Sequence, residues 1–205
     1  MKLFWSSRSP FVRKVMIVAH ELGLADELTL VRAVVHPAKP SRDVMPFNPL
    51  GKIPTLVIDE DTVLYDSRVI CEYLEAMRAP GRLVPSPGED RWRVLTWQAM
   101  ADGLMETALL ALTERARPDG SRQDEILAGC ALKVATALDR LEQDDAFFSW
   151  SVPTLGHIAV GSVLLYLDFR FADDQWRIDR PRLQAWFDTF SVRPSVRATR
   201  FEDIY

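Results

Sequence analysis

The sequence predicts a small α/β domain of order βαβ-ββα followed by an all-α domain. Three observations carry that prediction. Apolar residues in the first part switch between a strand-like and a helix-like period. A stretch rich in proline and glycine, APGRLVPSPGED, then interrupts every pattern. Beyond it the apolar spacing is helical throughout. The chain therefore divides into residues 1–79 and residues 89–205, joined by a linker.

The elements follow in order. Residues 2–5 are short and apolar ahead of a polar turn, and read as a strand. Pro10 suits a first helical position, where its missing N–H costs nothing. Val12, Val15, Met16, Ala19 and Leu22 then keep helical spacing, with Gly23 as the C-terminal stop. Residues 28–34 are rich in β-branched side chains and read as a second strand. Pro37, Pro40, Pro46, Asn48, Pro49 and Gly51 mark a loop. The runs IPTLVID and TVLYD, parted by ED, predict a hairpin. Residues 67–77 predict a helix with Val69, Ile70, Tyr73, Leu74 and Met77 on its inner face. Further helices are expected near 91–115, 123–142, 154–169 and 182–190, with a short terminal piece.

Composition narrows the function classes. The chain has 205 residues, 48% apolar and 26% charged, with a formal net charge of -4. Such a chain is long enough for an ample core, and its balance is ordinary for a globular protein. The weak acidity and the lack of a basic block argue against nucleic acid or an anionic membrane as partner. Cys71 and Cys130 fall inside helical apolar patterns and read as buried small hydrophobes. They have no metal-ligand spacing, so no metal is expected. With no leader pattern and no transmembrane run, the cytoplasm is the expected compartment.

The stretch Ser9-Pro10-Phe11-Val12 lies where the first strand turns into the first helix. It has the form of a Cys-Pro-x-Cys redox tetrapeptide with Ser9 and Val12 at the two cysteine positions. Three other segments stand out: NPLGKIPTL, LYDSRVICEYL and RPRLQAWFDTFSVRPSVRAT. Together with the domain order, over essentially the whole chain, they resemble the cytosolic glutathione transferase superfamily. The similarity is greatest to the small bacterial glutathione transferase-like proteins with Ser in the N-terminal loop. The resemblance implies a thioredoxin-like N-terminal domain, glutathione as co-substrate and a homodimer.

It also implies roles residue by residue. The Ile53-Pro54 bond is expected to be cis, turning the backbone of Ile53 outward to pair with the cysteinyl unit of glutathione like an added strand. Asp66 and Ser67 open a helix; Ser67 suits the γ-glutamyl carboxylate and Asp66 the ammonium. Both residues also suit plain N-capping. Lys52 is the candidate for the glycyl carboxylate, with Lys39 a weaker one. Phe11 and Val12, in the first helical turn, read either as a wall of the pocket or as core packing. Ser9 is the candidate catalytic residue, donating to the glutathione sulfur. Arg8 and Arg13 are read as solvated.

In the helical domain, SVPTLGHIAV takes the place of the superfamily's N-terminal capping box, with His157 where Asp is usual. A neutral imidazole can accept the same hydrogen bond, and His157→Asp is expected to stabilise the helix. Trp97, Met100, Leu104 and Met105 read either as a substrate-facing stripe or as core. Asp102 resembles a position that in some relatives reaches the neighbouring subunit's glutathione.

With both thiols gone, the remaining chemistry is to borrow one. A free thiol with a pKa near 8.5 is about 3% thiolate at pH 7, and a pKa lower by about two units gives roughly 75%, a difference of about 2.7 kcal/mol. The expected activity is therefore that of a glutathione transferase, in which bound thiolate attacks a small apolar electrophile in the cleft between the domains. The alternatives are a glutathione-dependent reductase or peroxidase, or a non-catalytic glutathione-binding or regulatory protein.

Overall fold

A computed structural model describes residues 1–36 and 39–203. The chain forms two units: one from the described residues of Met1–Gly88 and Arg193–Tyr205, the other from Glu89–Val192.

The first unit holds β1 (Lys2–Trp5), α1 (Pro10–Glu21), β2 (Thr29–Arg32), β3 (Thr55–Val57), β4 (Val63–Leu64) and α2 (Ser67–Arg78). The sheet order is β2-β1-β3-β4, with β1 and β2 parallel and β3 antiparallel to both β1 and β4. A parallel pair needs a crossover, which α1 supplies. An antiparallel pair needs only a turn. Asp59 builds that turn by accepting from the N–H groups of Asp61 at 3.0 Å and Thr62 at 2.8 Å. The bonds from Thr62 and Asp61 hold its pKa below the ordinary carboxylate value.

The inner face of α2 differs from the expected one. Ile70, Cys71, Leu74 and Glu75 are buried, while Val69 and Met77 are exposed. Glu75 accounts for the rotation. Its carboxylate accepts from the N–H groups of Leu83 at 2.6 Å and Val84 at 2.8 Å. The proline-rich linker is thereby docked on the first unit, with both leucine and valine side chains buried.

The second unit holds α3 (Glu89–Arg115), α4 (Asp124–Glu142), the short α5 (Asp145–Phe148), α6 (Leu155–Arg170) and α7 (Pro181–Ser191). Twelve of the sixteen residues of α6 are buried, so this helix is the axis of the unit. Gly156 lets α3 approach it: a Cβ there would lie 2.7 Å from the Val94 carbonyl oxygen and 3.0 Å from Trp97 Cβ.

The terminal α8 (Pro194–Arg197) belongs to the first unit, whereas the sequence assigns all of 89–205 to the helical domain. The cause is Glu21 at the end of α1. It accepts from Arg193 at 2.9 and 2.8 Å and from Ser195 Oγ at 2.6 Å. Burial pushes the Glu21 carboxyl up, and the bonds from Arg193 and Ser195 outweigh it, leaving the pKa lowered. Apolar periodicity carries no trace of a contact that spans 172 residues.

Candidate functional site

The register of the sheet gathers three loops at one end. Phe4 pairs with Thr55, so the end of β1 lies beside the start of β3. Leu56 pairs with Leu64, so the end of β4 lies there too. The residues 6–9, 52–54 and 65–67 follow or precede those strand ends directly. These loops carry Ser9, Lys52, Ile53, Pro54, Asp66 and Ser67, six of the seven residues singled out in the sequence. The seventh, Phe11, sits half-buried in the first turn of α1.

Ser9 is the N-cap of α1. Its Oγ accepts from the Val12 N–H at 3.3 Å, with Pro10 in the first turn as expected. A hydroxyl that accepts still has its own proton to donate. No acidic side chain occupies the first turn, so no carboxylate competes for the positive end of the helix.

The Ile53-Pro54 bond is cis, as the resemblance implies. The Ile53 side chain is buried in a cluster with Phe4, Val12, Ala33 and Val44. That cluster ties the cis-proline loop to the first turn of α1. The backbone of Ile53 makes no hydrogen bond among the described residues. The loop before it is rigidly held. Asn48, almost fully buried, donates from Nδ2 to the Lys52 carbonyl at 3.2 Å and to Thr55 Oγ1 at 3.1 Å. Thr55 Oγ1 donates to the same carbonyl at 2.8 Å. Gly51 turns the chain at φ 59°, where a Cβ would meet Met45 and Pro40 at 3.3 and 3.4 Å. The Lys52 side chain is exposed.

Asp66 caps α2, its Oδ1 accepting from the Arg68 N–H at 2.9 Å. The Tyr65-Asp66 bond is also cis. Asp66 is exposed and Ser67 buried. The capping role the sequence allows for Asp66 is therefore present, and one carboxylate oxygen is left over for another partner.

Two neighbours differ from expectation. Arg13 is buried, not solvated. Its Nη2 donates to the Val196 carbonyl at 3.4 Å, its guanidinium lies 4.3 Å from the centre of the Phe201 ring, and its Nε has no partner among the described residues. Burial, helped by the charge of Arg200, lowers its pKa to about 10. Arg8 is ion-paired with Asp203 at 2.8 Å. Neither arginine is a free surface cation.

The stripe on α3 is divided. Trp97, Leu104 and Met105 are buried, Met100 is half-buried, and Trp97 Nε1 donates to Asp144 at 2.9 Å. Asp102 is buried as well. His157 is fully engaged. Its Nε2 lies 2.8 Å from the Phe147 carbonyl oxygen, which can only accept, so Nε2 carries the proton. Nδ1 is then the acceptor for the Thr154 N–H at 3.2 Å and the Thr154 hydroxyl at 2.7 Å. Among the described residues no group of three or more His, Cys, Asp or Glu side chains is arranged to hold a metal. No helix of the described residues is long and apolar enough to cross a membrane.

Comparison with known proteins agrees with this geometry. Residues 8–77 match the glutathione S-transferase N-terminal domain and residues 124–189 its C-terminal domain. The chain is 34% identical to the uncharacterized GST-like protein YibF of Escherichia coli K12, over 97% of this chain and 98% of that one. It belongs to the glutathione S-transferase family. It is also 30% identical to glutathione S-transferase GstB of E. coli K12, over 95% of each chain. A glutathione transferase family member from Pseudomonas fluorescens Pf-5, solved with bound glutathione, superposes with a TM-score of 0.94 at 40% identity and 98% coverage of both chains. The fold is accordingly a thioredoxin-like α/β domain followed by the family's all-helical domain.

Sequence reasoning misjudged two residues of this region, taking Asn48 only as a loop marker and Arg13 as solvated. Asn48 had a signal, since it opens NPLGKIPTL, but its bonds to Lys52 and Thr55 are not written in the pattern. Arg13 had none, because a charged residue four positions into a helix ordinarily faces water.

Proposed function

We propose that the chain is a glutathione transferase that binds glutathione at the gathered loops and activates its thiol for attack on a small apolar electrophile. The observation that carries this reading is Ile53. A backbone pair left unbonded in a loop pinned on either side by Asn48 and Thr55 suits an extended peptide ligand added alongside it. Glutathione is such a ligand, and the P. fluorescens relative holds it at 40% identity.

The remaining roles follow from chemistry. The start of α2 offers the Ser67 hydroxyl and free N–H groups to the γ-glutamyl carboxylate, and the spare Asp66 oxygen to the ammonium. Lys52, exposed beside Ile53, suits the glycyl carboxylate. Phe11 flanks the first turn of α1. The sulfur is placed at the start of α1, where the helix dipole and the Ser9 hydroxyl proton favour thiolate over thiol. The thiolate sulfur then forms a bond to the electrophilic carbon. The electron pair leaves with a departing group or, in an addition, is quenched by a proton from water. No covalent enzyme intermediate is required. As in the family resemblance, the working unit is a homodimer, which sedimentation equilibrium at micromolar concentration checks.

Calorimetry with glutathione, followed by rate measurements on a panel of aryl halides, enones, disulfides and peroxides, tests the reading. Binding with conjugation of halides or enones supports it. Turnover of disulfides or peroxides alone makes the protein a reductase or peroxidase. Binding without turnover makes it a regulatory or carrier protein, and no binding overturns the proposal.

A further inference from the structure

Residues 201–203 lie directly on the loop that leads into Ser9. The backbone of Glu202 pairs with Ser7, its carbonyl accepting from Ser7 Oγ at 2.9 Å and its N–H donating to the Ser7 carbonyl at 3.4 Å. Asp203 holds Arg8 at 2.8 Å. The Phe201 ring covers the Arg13 guanidinium at 4.3 Å. The residues so held, Ser7, Arg8 and Arg13, bracket the Ser9 cap on both sides. Within the loop itself, bonds from the Ser9 N–H to the Ser6 carbonyl at 3.2 Å and from the Arg8 N–H to Ser6 Oγ at 3.3 Å supplement this hold.

We propose that residues 201–203 form a strap that fixes the Ser9 loop, with Phe201, Asp203 and Arg13 as positioning residues for activation of the glutathione thiol. The strap has a partly buried root and a more exposed tip. Its root, Arg193 and Ser195 on Glu21, is a partly buried network of three bonds. The contacts of its tip include the bonds of Glu202 to Ser7, a half-exposed ion pair and an aromatic ring. Arg200, just before the strap, adds its charge to the burial that lowers the Arg13 pKa, so two cations bear on each other there. A segment so balanced can lift without unfolding the unit. Lifting it rehydrates Arg13 and releases Ser7 and Arg8 from residues 201–203, so the Ser9 hydroxyl is held only by its own long bond to the Val12 N–H and by the local bonds to Ser6. The contacts proposed for glutathione at Ile53, Asp66 and Ser67 are untouched. The strap therefore acts on the thiol's ionisation more than on glutathione affinity, and in this it rests on the function proposed above.

The test compares the full chain with a chain lacking residues 201–205, with Phe201→Ala, with Asp203→Asn and with Glu202→Ala. In ligand-free protein, amide exchange of residues 8–13 should quicken at least tenfold in the truncated chain and severalfold in Phe201→Ala, with residues 55–57 unchanged. Bound-thiol titration by ultraviolet difference spectroscopy should show a pKa about one unit higher in the truncated chain, while the glutathione Kd changes less than threefold. Asp203→Asn should show a fraction of that shift, lost at high salt. Glu202→Ala, whose contacts are made by its backbone, should match the parent. Unchanged exchange together with an unchanged thiol pKa overturns the strap. A Kd that weakens as much as the thiolate fraction falls makes residues 201–203 a part of the binding site and likewise overturns it. If the full chain does not bind glutathione, the proposed function fails, and the exchange comparison alone decides the strap.

Discussion

The starts of α1 and α6 are both capped by a hydroxyl residue, and they are finished in opposite ways. At α6 the cap is sealed. Thr154 and His157 are 1% exposed, and both ring nitrogens of His157 are bonded. The imidazole stacks on Phe147 at 4.5 Å and meets Trp97 edge-on at 5.3 Å. At α1 the cap is one bond of 3.3 Å from a half-buried Ser9, with no residue reaching back to complete a capping box. The sealed start commits its polar groups to the fold. The open start keeps the Phe11 N–H and a hydroxyl proton in reserve. A helix terminus left partly unsatisfied is where a ligand can replace water, and one fully bonded is where it cannot.

Four experiments probe that contrast, taken from the largest expected effect. His157→Ala removes three buried hydrogen bonds and a ring from an aromatic cluster, and should cost about 3–4 kcal/mol in urea unfolding. His157→Asp restores the cap acceptor but leaves the Phe147 carbonyl without its donor and the stack without its ring, so it should still cost about 2 kcal/mol. This reverses the sequence-based expectation that Asp would stabilise. A variant as stable as the parent would show that the ring's bonds to Phe147 contribute nothing.

The second experiment is a pH series. Burial holds the His157 pKa below its ordinary value, although the bond to the Phe147 carbonyl works the other way. The unfolded chain therefore binds a proton before the folded chain does. The stability from a neutral His157 is fully present above about pH 6.5 and is lost as pH falls through the folded pKa. Between pH 7 and pH 5 the parent should lose more of its urea midpoint than His157→Gln does. Equal slopes would mean that His157 ionises alike in both states.

Ser9→Ala should cost only about 0.5–1 kcal/mol of stability, at the low end for an N-cap, because the bond is long and half-exposed. Its larger signature is expected in the bound thiol, whose pKa should rise by about one unit or more. Ser9→Cys places a thiol at the same helix start, and mass spectrometry after incubation with oxidised glutathione should find it as a mixed disulfide. If the Ser9→Cys variant stays unmodified while a surface-cysteine control reacts, Ser9 is removed from the sulfur's path.

Asp66→Ala gives the smallest change in stability, about 0.5–1 kcal/mol for an exposed cap. Glutathione affinity should fall by more than that, about 1.5–3 kcal/mol for a lost charge-assisted contact. If calorimetry finds the affinity unchanged, Asp66 is a cap and nothing else, and α2 joins α6 among the closed helix starts.

What could be read in the sequence is what neighbours in the chain decide. Period and punctuation give the order of elements, the hairpin around residues 59–62, the docking of Pro10 in the first turn of α1 and the break near residues 79–90. The likeness of NPLGKIPTL and LYDSRVICEYL to family segments points to the Ile53 and Asp66 loops. Tertiary structure decides what distant partners decide. Glu75 turns the inner face of α2 toward Ile70, Cys71 and Leu74 by reaching Leu83 and Val84. Glu21 draws Arg193 and Ser195 back onto the first unit. Phe147 takes a bond from His157 that a carboxylate could not donate, and Val196 with Phe201 takes Arg13 out of water. Each of these is a polar or charged group that burial would penalise unless something bonds or covers it, and the partner stands well outside the local pattern. Hydrophobic spacing marks which residues avoid water. It does not mark which polar residues have found a substitute for it.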